Sequence, residues 1–284
     1  MRKLLMASAT LAMLGMPVPA AANQHEKDGA AMTDASLQAI LDHERRADDK
    51  ARDVYRNPAQ TLAFFGVKPE HRVVEYAPGG GWYTRILLPY LAGEGQYIAI
   101  NADSSATNFP DRAREARTKG WPENFPATAA KWTGVDAKKI LAFESDEMPE
   151  DMKGKVDRIV IFRSLHGLLN GNQADSELRA LREMLADDGM IGVVQHRAKK
   201  NASYAMSNGS KGYLKQASVV DLFELHGFEL VSESEINANP RDTSDYEGGV
   251  WTLPPVLRLG DTDKAKYEAI GESDRMTLLF KKRP

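Results

Sequence analysis

Arg72-Val73-Val74-Glu75-Tyr76-Ala77-Pro78-Gly79-Gly80-Gly81-Trp82-Tyr83-Thr84 reads as a β-strand that ends beside an acid, passes through a run of glycines and turns straight into a helix. Glycine suits such a turn because the backbone visits positive φ and because a side chain would keep a bound nucleotide or amino acid away from the main chain. The helix start beyond it offers free N–H groups to an anionic group such as a carboxylate. Spacing separates two ligand classes. A dinucleotide loop needs glycine at its first, third and sixth positions, and counting from Gly79 the sixth is Thr84. The other pattern, acid-x-small-x-Gly-x-Gly, is met at Glu75, Ala77, Gly79 and Gly81. A glycine-rich turn without a ligand remains the alternative to both.

Outward from this loop, strands and helices alternate. Strands are expected at 72–77, 96–101, 139–143, 156–162, 190–195, 228–232 and 276–281, with helices at 82–91, 111–119, 174–186 and 218–226. This rhythm implies βαβ units and a mostly parallel sheet with helices on both faces. Val160-Ile161-Phe162 is a continuous apolar run, as a strand buried on both sides requires. Before the loop, apolar residues recur at helical spacing from Ala35 to Tyr55, opposite a densely charged face. Asn57-Pro58 then reads as an N-cap with proline at the first helical position, and Gly66 as the stop. Residues 237–274 break the rhythm and read as an insertion or lid.

The amino terminus has the form of a secretory signal. Arg2 and Lys3 precede an apolar run from Leu4 to Met16, and Ala20-Ala21-Ala22 supplies small residues for cleavage. The run is shorter than the roughly 20 apolar residues that span a bilayer. Residues 1–22 are therefore expected to be a signal peptide, 23–34 a disordered leader and 35–284 one domain of an exported, periplasmic protein. With no cysteine, disulfides and thiolate metal sites are excluded, and the six histidines show no metal-binding spacing. The formal charge of −3 becomes about −5 once Arg2 and Lys3 are removed, so nucleic acid is not expected as a partner.

The loop pattern resembles motif I of the class I S-adenosylmethionine-dependent methyltransferases. Further segments resemble a group of predicted exported bacterial methyltransferases whose substrate is not established: Arg52-Asp53-Val54-Tyr55-Arg56-Asn57-Pro58, Phe162-Arg163-Ser164-Leu165-His166, Gly212-Tyr213-Leu214-Lys215 and Val250-Trp251. The resemblance implies a Rossmann-like, seven-stranded, mostly parallel sheet whose last strand is inserted antiparallel. It implies S-adenosylmethionine as cofactor, with Glu75, Ala77, Gly79, Gly80 and Gly81 beside its amino-acid end. A ribose acceptor is implied at the end of the second strand, where Asn101 stands and Asp103 follows; Asp103 also reads as a loop cap. An adenine contact is implied after the third strand, at Asp146, within an acidic run that reads equally as solvated surface.

Ligands of open α/β sheets lie beyond the carboxyl ends of the strands. His166 is placed there as a candidate general base, with a packing histidine as its alternative. Arg163 would hold an anionic acceptor or pair with the acidic loop before it. His196 has the same ambiguity as His166. Arg52 and Asp53 are candidates for the substrate side, with Tyr83, Tyr213 and Trp251 as residues that cover a ligand or simply pack. The expected activity is methyl transfer to a small-molecule or envelope-associated acceptor. Two alternatives stand beside it: an exported binding or assembly protein that keeps this fold without the reaction, and a nicotinamide-dependent oxidoreductase, weakened by Thr84.

Overall fold

The computed structural model describes residues 35–105 and 107–284; the signal peptide and leader expected over 1–34 lie outside the described residues. Helices α1 (Ala35–Asp42), α2 (Ala47–Lys50), α3 (Asp53–Arg56) and α4 (Pro58–Phe64) precede β1 (Arg72–Tyr76). Next come α5 (Thr84–Leu91), β2 (Gln96–Asn101), α6 (Arg112–Lys119), α7 (Trp121–Thr133), β3 (Leu141–Glu144) and β4 (Val156–Phe162). The chain continues through α8 (Leu165–Asn170), α9 (Ala174–Met184), β5 (Leu185–His196), α10 (Tyr204–Ser207), α11 (Gln216–Leu225), β6 (Phe228–Ser234), α12 (Lys264–Ile270) and β7 (Arg275–Lys282). The sheet order is β3-β2-β1-β4-β5-β7-β6. Strands β1 to β5 pair in parallel, and β7 runs antiparallel to both β5 and β6. This is the seven-stranded α/β sandwich expected from the sequence.

Alternation along the central strands divides the core into two layers. Val74, Tyr76, Ile98, Ile159 and Ile161 pack with Leu178 and Leu181 of α9 and Val219 and Phe223 of α11. Val73, Tyr97, Ala99, Val160 and Phe162 pack with Leu37 of α1, Leu62 of α4, Ile86 of α5 and Phe125 of α7. Gly192 in the middle of β5 belongs to this arrangement: a Cβ there would stand 2.4 Å from the Phe65 ring, so the aromatic ring lies flat on bare strand. Among the described residues no helix is long and apolar enough to cross a membrane.

Several elements differ from expectation. The helix expected over Ala35–Tyr55 is broken by a 3₁₀ turn at Glu44–Arg46, because the Arg46 guanidinium folds inward onto the Leu41 carbonyl and the Asp53 carboxylate. Asn57 does not cap α4 through its side chain. It takes a left-handed conformation at φ 39°, and its Nδ2 donates to the Ile236 carbonyl 2.7 Å away. Helix α7 was not expected, and β3 begins two residues late because 137–139 form a 3₁₀ turn. No α-helix joins β3 to β4; 3₁₀ turns at Ser145–Glu147 and Glu150–Met152 make the connection.

Candidate functional site

The carboxyl ends of β1 and β4 lie side by side, since Tyr76 pairs with Ile161. Above them opens a cleft of about 400 Å³, within the size range of small-molecule sites. Its floor is Glu75, Ala77, Gly79 and Gly80, and one wall is Phe162, Arg163, Ser164 and His166. Val250, Trp251, Pro254, Pro255 and Val256 of the 237–274 segment add an apolar stretch to the lining.

The glycine loop has two faces. A Cβ at Gly80 would meet nothing within 4 Å, and at Gly79 only the Ala77 carbonyl at 3.9 Å, so this part of the loop is open to the cleft. Gly81 is different. At φ 75° its missing side chain makes room for the Trp132 ring of α7, whose Cζ3 would stand 2.2 Å from a Cβ. Gly81 therefore seats the loop on α7 and does not border the cleft, a correction to the ligand-side role expected of it. Arg85 locks the other side: its Nη1 donates to the Gly80 carbonyl at 2.9 Å, and Nε and Nη2 donate to both oxygens of Asp49 at 2.5 and 2.7 Å.

Glu75 is buried at the end of β1. Its Oε2 accepts hydrogen bonds from Thr84 Oγ1 at 2.7 Å and Tyr97 Oη at 2.6 Å, which leaves Oε1 for the cleft that Glu75 lines. Burial pushes its carboxyl up to about 7, against the opposing pull of those two hydrogen bonds and of Arg163. Tyr83 does not cover a ligand with its hydroxyl, which donates to the Arg56 carbonyl at 3.3 Å. Its ring stacks on Phe162 with centroids 3.4 Å apart and forms part of the cleft wall.

Positive charge gathers on one side. Arg52, Arg56, Arg163 and Arg275 all line the cleft, with one ionised carboxylate, Glu272, among them. Glu272 Oε1 accepts from Arg52 Nε at 2.5 Å, and Oε2 accepts from Arg56 Nε at 3.2 Å and from Arg275 Nη2. Although burial opposes its charge, Arg275, Arg56 and Arg52 hold Glu272 down at about 2. Arg163 has no ion pair with the acidic loop considered for it, and its guanidinium has no hydrogen-bond partner among the described residues. Burial, then the nearby Arg275, lowers it to about 10, and burial with Arg163 lowers Arg56 to about 8, so both stay mostly cationic at neutral pH. Asp53, expected on the substrate side with Arg52, instead holds Arg46 and stays out of the cleft lining.

His166 is positioned by Gln195. The Gln195 Nε2 lies 2.9 Å from the Gly212 carbonyl and 3.3 Å from His166 Nδ1. A carbonyl can only accept, so Gly212 fixes the amide with its NH₂ toward the ring. His166 then accepts at Nδ1 and carries its proton on Nε2. Burial is the main reason its ring sits below the ordinary imidazole range; Gln195 opposes the shift and Arg163 adds to it. A neutral ring of this tautomer presents a donor, not the base that the sequence suggested. His196 is held still lower by burial and by Arg275, and its Nδ1 lies 2.6 Å from Ser273 Oγ. Trp251 stands edge-on to His166 at 5.9 Å and carries Arg258 over its face at 4.5 Å.

The residues assigned to the adenosyl end are not brought into this cleft. Asn101, Asp103 and Asp146 sit together at the ends of β2 and β3, outside its lining. Asp103 Oδ1 accepts from the Ser105 amide at 2.7 Å, the loop-capping role foreseen as its alternative. Oxygens of Asp103, Glu144 and Asp146 lie within 4.8 Å of one another. Behind them, buried Glu177 of α9 accepts from the Asp103 amide, Ser145 Oγ and Tyr76 Oη, tying three strand ends to one helix. Tyr213 is also outside the cleft: it is fully buried and donates to both carboxylate oxygens of Asp242 at 3.1 and 3.2 Å. Sequence reasoning missed Asp49, Arg56, Arg85, Ser164, Glu272 and Arg275. Arg56 stood in a quoted segment and Glu272-Ser273-Asp274-Arg275 is a charged cluster before the last strand, but only the fold brings the two together.

No protein-family model matches the chain, and no curated protein matches it. Solved structures that resemble it include a SAM-dependent methyltransferase from Aquifex aeolicus, 17% identical, covering 71% of this chain and 93% of its own, with a TM-score of 0.46. Another is the 1,6-didemethyltoxoflavin-N1-methyltransferase of Burkholderia thailandensis with bound 1,6-didemethyltoxoflavin and S-adenosylhomocysteine, 12% identical over 87% and 89% of the two chains, with a TM-score of 0.45. The [4+2]-cyclase SpnF is 14% identical over 80% of each chain, with a TM-score of 0.48. The fold assignment rests on the sheet order and strand directions described above.

Proposed function

We propose that the protein is an S-adenosylmethionine-dependent methyltransferase of a small-molecule or envelope-associated acceptor, working outside the cytoplasm after removal of the amino-terminal signal. The observation that carries this reading is the open Gly79–Gly80 backbone beside the free oxygen of Glu75, at the junction of the β1 and β4 ends. An amino-acid moiety fits there: Glu75 would face its ammonium group, and the main chain of Ala77, Gly79 and Gly80 would lie along it. Asn101, Asp103 and Asp146 would receive the adenosine across the neighbouring strand ends. When bound, the cofactor supplies a methyl group on a sulfonium. The chain's own contribution is placement and exclusion of water: the Tyr83–Phe162 stack and the Trp251 wall enclose the acceptor, and alignment alone supplies much of the acceleration in such reactions. His166, protonated at Nε2, would donate a hydrogen bond.

Isothermal titration of the protein with S-adenosylmethionine and S-adenosylhomocysteine tests the reading. Saturable binding of both is expected; no heat from either at millimolar ligand would overturn it. A second reading, a binding or assembly protein on the same fold, is favoured by two features: Trp132 fills the Gly81 side of the loop, and the adenosyl-side acids stand apart from the cleft. It forecasts binding without transfer, or no binding. The oxidoreductase alternative forecasts NADH binding and is opposed by Thr84, which is buried against Glu75 where a dinucleotide loop has glycine.

A further inference from the structure

We infer that the acceptor carries an oxyanion, a carboxylate or phosphate, and that Arg163 receives it together with Arg56, Arg275 and Ser164. The inference rests on the methyl-transfer reading for what happens to the acceptor, but the anion site stands on its own contacts. Arg163 follows the last residue of β4 and takes φ 60°, a left-handed conformation that a side chain of this size rarely adopts. Its amide still donates to the Val194 carbonyl at 2.7 Å, so the strand register is kept while the side chain joins the cleft lining. There its guanidinium has neither an ion pair nor a hydrogen bond among the described residues.

Three further polar atoms, on residues that line the same cleft, are buried without a hydrogen-bond partner: Arg56 Nη1, Arg275 Nε and Ser164 Oγ. A buried donor left unpaired is costly. An oxyanion offers several lone pairs within one small group and so suits a cleft lined by residues of different elements whose donors lack partners. Charge points the same way, because four guanidinium groups surround the single carboxylate of Glu272. The remaining cleft wall, Val250, Trp251, Pro254, Pro255 and Val256, is apolar and suits a hydrocarbon or aromatic body attached to the anionic group.

The cofactor's own carboxylate is the other possible source of the anion. Electrostatics separates the two. Uncompensated guanidinium groups repel a sulfonium, so an acceptor anion bound beside them should strengthen S-adenosylmethionine binding, and by reciprocity the cofactor should strengthen anion binding. The uncharged sulfur of S-adenosylhomocysteine should gain less. A cofactor carboxylate seated on Arg163 would instead make added anion and cofactor compete.

The test is calorimetric titration of the protein with benzoate and phenyl phosphate, with benzyl alcohol as the neutral control, each with and without cofactor. At least one of the two anions is expected to bind and benzyl alcohol not to bind. The bound anion should raise affinity for S-adenosylmethionine more than for S-adenosylhomocysteine. Arg163→Gln should weaken anion binding about tenfold or more, with S-adenosylhomocysteine affinity and melting temperature little changed, since the variant keeps the amide hydrogen bond to Val194 and the Arg163 side chain makes no ion pair or hydrogen bond among the described residues. Competition between anion and S-adenosylhomocysteine, equal binding of benzyl alcohol, or unaltered anion affinity in Arg163→Gln would each overturn the inference. The two readings fail separately. Arg163-dependent anion binding without any cofactor binding would retire methyl transfer and leave the anion site; cofactor binding without binding of either anion would do the reverse.

Discussion

At Gly80 an added side chain would enter open space, whereas at Gly81 it would enter the Trp132 ring. Two neighbouring glycines therefore forecast opposite phenotypes. Gly80→Val should alter stability by no more than about 0.5–1 kcal/mol while weakening S-adenosylhomocysteine binding at least about tenfold, because its methyl groups occupy the cradle. Gly81→Ala should cost about 2 kcal/mol or more from overpacking and positive φ, whatever happens to binding. Calorimetry and thermal melts of both variants check the pair; a stable Gly81→Ala would mean that Trp132 does not seat the loop. Glu75 gives a pH-dependent case. Its folded value near 7 lies above the ordinary 4.5, so the folded protein holds a proton that the unfolded chain releases. Stability from this group is complete below about 4.5, falls as pH rises to about 7 and stays lost above it, by at most about 3 kcal/mol. Glu75→Gln can still accept from Thr84 and Tyr97, so its melting temperature should exceed the wild type's at pH 8 and approach it at pH 4.5. Equal differences at both pH values would place Glu75 outside this linkage.

Elements built on one strong local signal were legible in the sequence, and those built on compromise were not. β2 and β4 begin and end at the residues expected for them, Gln96–Asn101 and Val156–Phe162, each built around a run of apolar residues. β5 starts five residues before the expected Met190, because Leu185 pairs with Val156 and a register shift absorbs the polar Asp187-Asp188-Gly189 that follows the helix expected to end at 186. Helix α7 hid behind Pro122 and Pro126: Pro122 sits at the second helical position, where the N–H has no partner to lose, but Pro126 lies inside the helix, where proline ordinarily breaks one. In the site, the glycine loop and the β4 end could be read because each is a continuous stretch. The arginine cluster could not: Arg56 and Glu272 are 216 residues apart, and neither departs from an ordinary charged surface until the sheet closes. Tyr213 shows the converse, a residue in a suggestive Gly212-Tyr213 motif that serves to dock the 237–274 segment. Tyr213→Phe removes the hydroxyl from Asp242, whose carboxyl burial already pushes up, and should cost about 1–3 kcal/mol. Ligand affinity should be unchanged. A variant with normal melting but altered affinity would return Tyr213 to the site.

Across the whole molecule, Glu272 is the point at which the two ends of the folded chain meet. It joins Arg52 and Arg56, before the first strand, to Arg275 at the start of the last one, and Arg275 Nη1 also donates to the Tyr55 carbonyl at 3.0 Å. The N-terminal helices thus have an ionic attachment to β7 beside their apolar contact with α5, and the same attachment sets the cationic wall of the cleft. Removing one partner of a buried ionic cluster leaves the others uncompensated, so Glu272→Gln should cost about 3–5 kcal/mol at neutral pH. The pH dependence has a definite sign. A carboxyl held at about 2, below its ordinary 4.5, contributes stability that is fully present above about 4.5 and is lost as pH falls through about 2. The width of that shift limits the pH-dependent part to about 3 kcal/mol. Urea unfolding of wild type and Glu272→Gln from pH 7 to pH 2 should show two curves that stay apart down to about pH 4.5 and then converge. Because the variant leaves three neighbouring guanidinium groups facing one another, it should also bind benzoate or phenyl phosphate more tightly than the wild type as long as it is folded. Parallel stability curves, with unaltered anion affinity, would mean that Glu272 neither joins the chain ends nor moderates the charge of the cleft.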